Sequence, residues 1–324
     1  MIKFFRQSYA IQYVVIALLA IALWLPSFLS GTVAAGMDSP VIPLYSFVKR
    51  ILAFSPFAQL LFAFLLIILE ALIFNAMLVN NQIVGKVSTM GAFVFVLLMS
   101  LTRTQADFYP FALSVVFILL IINVLFDIYL SQNSELSLLK AGILVALSSM
   151  CYFPSILLIV WVMAVLPIAK KGSLRLELIP MVGMLFTYFL YFVGVYLFGD
   201  FLSVIQAYQN FFSEVSLSVE CFNYKIIILL SFLILTSILL LIGNAHSEKA
   251  VVRMKIGMST LLMVFAVIML FLGGSVLMNG LIFITLSILF SYEFTNMNNT
   301  GWANLVLAIF LLLVFANHYY FKLL

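Results

Sequence analysis

The chain has 324 residues, 66% of them hydrophobic and only 8% charged, with a formal net charge of +4 and a mean hydropathy of +1.29. Soluble domains carry about a quarter of their residues as charges, so a water-soluble fold is excluded, and the scattered basic residues form no patch for nucleic acid. Apolar runs of about 20 residues recur, each able to cross a hydrocarbon core of about 30 Å. They lack the two-residue alternation of a membrane barrel, so they read as helices that satisfy their own backbone.

The first run follows Lys3 and Arg6, as the core of a signal peptide would. It is longer than such a core, so it is expected to stay as the first span, near 11–30. Further spans are predicted near 57–79, 87–101, 110–130, 137–152, 154–169, 178–198, 225–243, 256–272, 275–291 and 302–320. The expected fold class is therefore all-α, a polytopic integral membrane protein with about 11 spans (10–12), forming one transmembrane domain over residues 1–324. Residues 137–169 read either as one hairpin or as a re-entrant pair.

With the N-terminus in the cytoplasm, Lys3, Arg6, Lys86, Lys140, Lys170, Lys171, Arg175, Lys249, Arg253 and Lys255 fall inside. Lys49, Arg50, Arg103, Lys225 and Lys322 fall outside. This balance follows the positive-inside rule. The acids sort the other way, since Asp38, Asp107, Asp200, Glu214 and Glu220 all map to the outer side. Outer loop 31–56 has apolar residues three and four apart around Lys49 and Arg50, the pattern of a helix lying in the interface. Outer loop 199–224 has a similar segment at 201–212. Membrane-skimming connectors are the preferred reading of both, over substrate lids.

Metal and redox chemistry find little support. The chain has two histidines, His246 and His318, and no HExxH, paired CxxC or Walker sequence. Cys151 and Cys221 both map near the outer face, where a disulfide is topologically allowed, but two free thiols are the preferred reading. Two acids fall inside predicted spans: Glu70 mid-span in LLIILEALIF, and Asp127 near the inner end of span 110–130. Intramembrane acids tend to mark function, so Glu70 reads as a proton-binding carboxylate of a carrier or as a protonated, helix-bonded side chain. Asp127 is close enough to the interface to be hydrated.

The outer acids Asp38 and Asp107, with Arg103 four residues before Asp107, form a kit suited to moving a sugar from a lipid phosphate. One carboxylate can act as a general base, or both can position a metal, while the arginine stabilises phosphate charge. The competing reading makes each acid an N-cap of the following helix, and makes Arg103 a complement to the carbonyl end of span 87–101.

Three stretches, GMDSPVIPLYSFVKRIL (36–52), SLTRTQADFYPFALSVVFILL (100–120) and LLKAGILVALSSMCYFPSILLIVW (138–161), carry a resemblance. In order and character they resemble the N-terminal half of the GT-C membrane glycosyltransferases, which use polyprenyl-phosphate-linked sugars. The resemblance implies a GT-C-like fold in a bacterial inner membrane and an enzyme acting at the outer face. It carries over Asp38 and Asp107 as catalytic acids and Arg103 as a phosphate contact, with a divalent metal as the one cofactor it allows. The implied partners are membrane lipid and a polyprenyl-phosphate sugar donor. Loop 31–56 holds one acid where many members have an adjacent pair. That departure motivates the alternative, a non-catalytic scaffold subunit bound to another envelope membrane protein. A further alternative is a lipid flippase or proton-coupled carrier using Glu70.

Overall fold

A computed structural model describes residues 2–7, 9–30, 41–84, 88–100, 109–129, 133–199, 201–214, 250–273, 276–296 and 300–316. Every regular element among them is helical. Five helices are long and apolar enough to cross a membrane, namely Pro56–Asn80, Pro110–Asp127, Ser134–Cys151, Leu174–Phe198 and Ala250–Ile268. The chain is a polytopic, membrane-embedded helical protein. The expected span 225–243 lies outside the described residues.

The helices pack as two compact units. The first contains α1 (Ile2–Phe5), α2 (Ala10–Ser30), α4 (Pro56–Asn80), α5 (Met90–Met99), α11 (Ala250–Gly273), α12 (Val276–Asn296) and α13 (Thr300–Ala316). At its centre is α5, all ten of whose residues are buried. A helix apolar on every side belongs in a core, and α5 is packed by α4, α12, α2 and α13. At about 1.5 Å per residue it is about 15 Å long, half the thickness of a hydrocarbon core. The third expected span is thus a half-length helix.

Polar side chains knit one end of this unit. Asn75 donates to the Ser88 carbonyl at 3.0 Å and to Tyr13 Oη at 3.3 Å, and accepts from the Ala92 amide at 3.3 Å. The Thr89 amide donates to the Phe5 carbonyl at 2.9 Å, and the Phe5 ring stacks on Phe93 with centroids 4.2 Å apart. Arg6 donates through Nε and Nη2 to the Phe294 carbonyl near the end of α12. Lys255, expected in an inner loop, instead lies within α11 and is buried. Its Nζ donates to Asn81 Oδ1 at 2.7 Å, which answers the need of a buried ammonium for an acceptor.

The second unit contains α3 (Pro43–Leu52), α6 (Pro110–Asp127), α7 (Ser134–Cys151), a 3-10 turn (Phe153–Leu157), α8 (Leu158–Ile168), α9 (Leu174–Phe198) and α10 (Phe201–Glu214). Its core helix is α7, packed between α6 and α9 and overlaid by α3. Small residues make this possible. A Cβ at Gly142 would stand 2.0 Å from the Pro180 carbonyl oxygen, and one at Gly183 would stand 2.6 Å from that of Leu139. Close backbone approach through small residues is the main way helices associate in lipid, where no hydrophobic drive separates one apolar face from another. Ser173 caps α9 by accepting from the Leu176 amide, with Glu177 in the first turn.

Candidate functional site

One group of hydroxyls and rings in the second unit lies where α7 ends, α6 begins, and α3 and α10 lie alongside. Ser149 Oγ donates to the Ala146 carbonyl at 2.7 Å. Its remaining capacity is to accept, so Tyr188 Oη, also 2.7 Å away, is the donor of that pair. Tyr208 of α10 lies in ring contact with Phe153 of the 3-10 turn at 5.6 Å and with Phe192 of α9 at 5.9 Å. Its hydroxyl donates to the Val41 carbonyl at 3.4 Å. Tyr152 completes the rim, with Tyr109 at 6.5 Å and Phe111 at 6.0 Å.

The described residues of this rim carry no formal charge. Burial, with Tyr188 and Tyr191 nearby, pushes the Tyr208 phenol well above its ordinary range, so at neutral pH it is a donor and not an anion. Ser148 and Ser155 are buried beside the same turn, and neither hydroxyl has a partner. Ring faces for stacking and hydroxyls for hydrogen bonding suit an uncharged polar group. Acid–base or phosphate chemistry would have to come from side chains other than these.

Those expected to supply it, Asp38, Arg103 and Asp107, lie outside the described residues, as does Cys221. The helices that follow the two acids bear directly on the capping reading. The N-cap of α3 is Ile42 and that of α6 is Tyr109, and neither of these two residues caps its helix through its own side chain. Capping from the N-cap position therefore does not account for Asp38 or Asp107. Proline opens both helices, and it brings no amide proton in need of a cap.

Glu70 lies on the buried face of α4 in the first unit, 3% exposed, and its Oε1 has no partner. Asp127 is the last residue of α6 and is exposed, as its place near an interface led one to expect. Cys151 is a buried free thiol. Among the described residues no three His, Cys, Asp or Glu side chains gather as metal ligands.

Two features escaped the sequence reading. Glu293 of α12 is fully buried with both carboxylate oxygens unpartnered, and its only linear signal was a lone acid near the edge of a predicted span. The phenol cluster had a weak signal in Tyr188 and Tyr191, three apart on one helix, but Tyr208 joins them only through the packing of α10. No protein family, curated protein or solved structure matches this chain.

Proposed function

We propose that the protein is a membrane glycosyltransferase that acts at the outer face of a bacterial inner membrane on a polyprenyl-phosphate-linked sugar. One observation carries this reading. Val41 follows Asp38 by three residues, and Tyr109 follows Asp107 by two. Val41 and Tyr109 both belong to the rim of rings and hydroxyls in the second unit.

In this reading one of the two carboxylates takes the proton of an acceptor hydroxyl as that oxygen attacks the anomeric carbon. The bond from that carbon to the phosphate oxygen breaks, and polyprenyl phosphate leaves with the electron pair. Arg103 stabilises the charge that accumulates on it. If a divalent metal takes part, Asp38 and Asp107 are its protein ligands. The rim stacks and orients the sugar, while α3 and α10 lie in the interface beside the lipid carrier.

The test is transfer from a polyprenyl-phosphate sugar by the purified protein in lipid nanodiscs. Asp38→Asn and Asp107→Asn are each expected to abolish transfer, a loss on the order of a hundredfold or more, while the protein stays monodisperse. Normal transfer by both variants removes the assignment. The uncharged character of the rim favours one second reading, a scaffold that holds a partner without turnover. Stable co-purification with another envelope protein, with no transfer by the wild type, would decide for it.

A further inference from the structure

Within the second unit, α7 and α9 run parallel, because they meet in the same order along both. Glu135 pairs with Arg175, Gly142 lies against Pro180, and Ser149 bonds Tyr188. At Gly142 the two backbones are in contact. Nearer the N-terminal ends the helices leave a cavity of about 640 Å³, walled by Asn133, Ser134, Glu135, Leu136 and Leu139 at the α7 end and by Ile179 of α9. Sites for small molecules have volumes of this order. Glu135 is fourteen residues before Ser149, about 21 Å along α7. The cavity is therefore at the opposite end of that helix from the rim of rings and hydroxyls.

Its walls are of two kinds. Leu136, Leu139 and Ile179 supply apolar surface, while Asn133, Ser134 and Glu135 supply polar groups. The Asn133 side chain makes no capping bond to its own helix. Arg175, one turn before Ile179 on α9, lies with Nη2 3.0 Å from Glu135 Oε1. A carboxylate and a guanidinium thus stand side by side at the polar edge. Their side chains are 54% and 80% exposed, and an ion pair so open to solvent is held weakly. A ligand that carries both signs can replace it charge for charge.

The depth of the cavity identifies the ligand. Both helices begin here, with Asn133 and Ser173 as their N-caps, and a span begins where hydrocarbon gives way to headgroups. The distribution of Lys and Arg assigns this end to the cytoplasmic leaflet. Basic pockets between spans on that side take anionic headgroups. Here the Glu135 carboxylate offsets the Arg175 guanidinium, which favours a headgroup with no net charge.

We infer that this cavity binds the headgroup of one phosphatidylethanolamine from the cytoplasmic leaflet. The primary ammonium donates to Glu135, and the phosphate accepts from Arg175 and from the Ser134 hydroxyl. The first part of the acyl chains lies against Leu136, Leu139 and Ile179. A carboxylate that accepts N–H donors selects a primary ammonium over the trimethylammonium of phosphatidylcholine, which has none. The site is independent of sugar transfer.

The experiment is native mass spectrometry of the full-length protein in detergent, with phosphatidylethanolamine, phosphatidylcholine or phosphatidylglycerol of the same acyl chains added in turn. The wild type is expected to retain about one phosphatidylethanolamine per chain, with about tenfold weaker retention of the other two, the effect of one charge-assisted hydrogen bond. Glu135→Gln is expected to lower phosphatidylethanolamine to the level of phosphatidylcholine. Leu136→Trp, which fills the cavity from an exposed position, is expected to lower it likewise. Asp127→Asn, the same change of charge on an exposed acid at the end of α6, is expected to bind as the wild type does. Equal retention of the three lipids by the wild type, a preference for phosphatidylcholine or phosphatidylglycerol, or unchanged selectivity in Glu135→Gln overturns the inference. If Glu135→Gln is not monodisperse, Leu136→Trp decides: lost retention supports the site, and undiminished retention overturns it.

Discussion

At Gly142 a single hydrogen atom sets the distance between two helices. The atom that a Cβ would meet there is a backbone carbonyl oxygen, 2.0 Å away, and backbone of a packed helix cannot swing aside as a side chain can. Gly194 on the same partner helix has nothing within 4 Å of its would-be Cβ. Gly142→Ala is therefore expected to destabilise the protein by about 1–3 kcal/mol, the usual effect of overpacking. Gly194→Ala is expected to be neutral or slightly stabilising, because alanine favours a helix. Heating each variant in detergent and measuring the monodisperse fraction by size exclusion separates the two. Equal behaviour would show that α7 and α9 do not meet at Gly142. The same scale shows how far a residue can be understood before its fold is known. Asp127 reads as a hydrated end residue from position alone. Asp38 and Asp107 lie outside the described residues, and the structure adds only that the N-cap positions of the helices after them are held by Ile42 and Tyr109.

At the scale of elements, the half-length α5 organises the first unit. Asn75 anchors it by bonding to both sides of its first turn, at the Ser88 carbonyl and the Ala92 amide. Asn75→Ala leaves those two buried backbone groups without their partner, at a cost of about 1–3 kcal/mol. The loss is expected to be local, as faster amide hydrogen exchange by about tenfold or more across residues 88–92, with α11 and α12 unaffected. Uniformly faster exchange throughout the unit would mean that α5 is not held there. The length of α5 was only partly legible. Its run of apolar residues resembles that of a full span, and hydrophobicity reports that a segment leaves water, not where its hydrogen-bond ladder stops. The amphipathic character of α3 and α10 was legible, because the periodicity that places an apolar stripe on one face is written in the chain itself.

For the whole molecule, the central expectation is that α9 crosses the membrane, so its two ends face opposite compartments. In a variant with Cys151 and Cys221 replaced by alanine, single cysteines at Gly172→Cys and Gln206→Cys report this directly. A membrane-impermeant maleimide applied to sealed, right-side-out vesicles is expected to label Gln206→Cys only, and applied to inverted vesicles to label Gly172→Cys only. Labelling of both from one side would remove α9 as a span, and the reverse pattern would invert the orientation drawn from the distribution of Lys and Arg.

Composition and periodicity were enough, by themselves, to determine the class of this protein and most of its helices. A long apolar segment is driven out of water, and a backbone in lipid must close its own hydrogen bonds, so these properties depend on the local chain alone. Which polar groups meet is a different kind of fact. Tyr208 reaches Val41 and Lys255 reaches Asn81 across separations of 167 and 174 residues. Only tertiary packing decides such meetings, because the same side chain is a cap, a counter-charge or an unpartnered oxygen according to what the neighbouring helix brings to it.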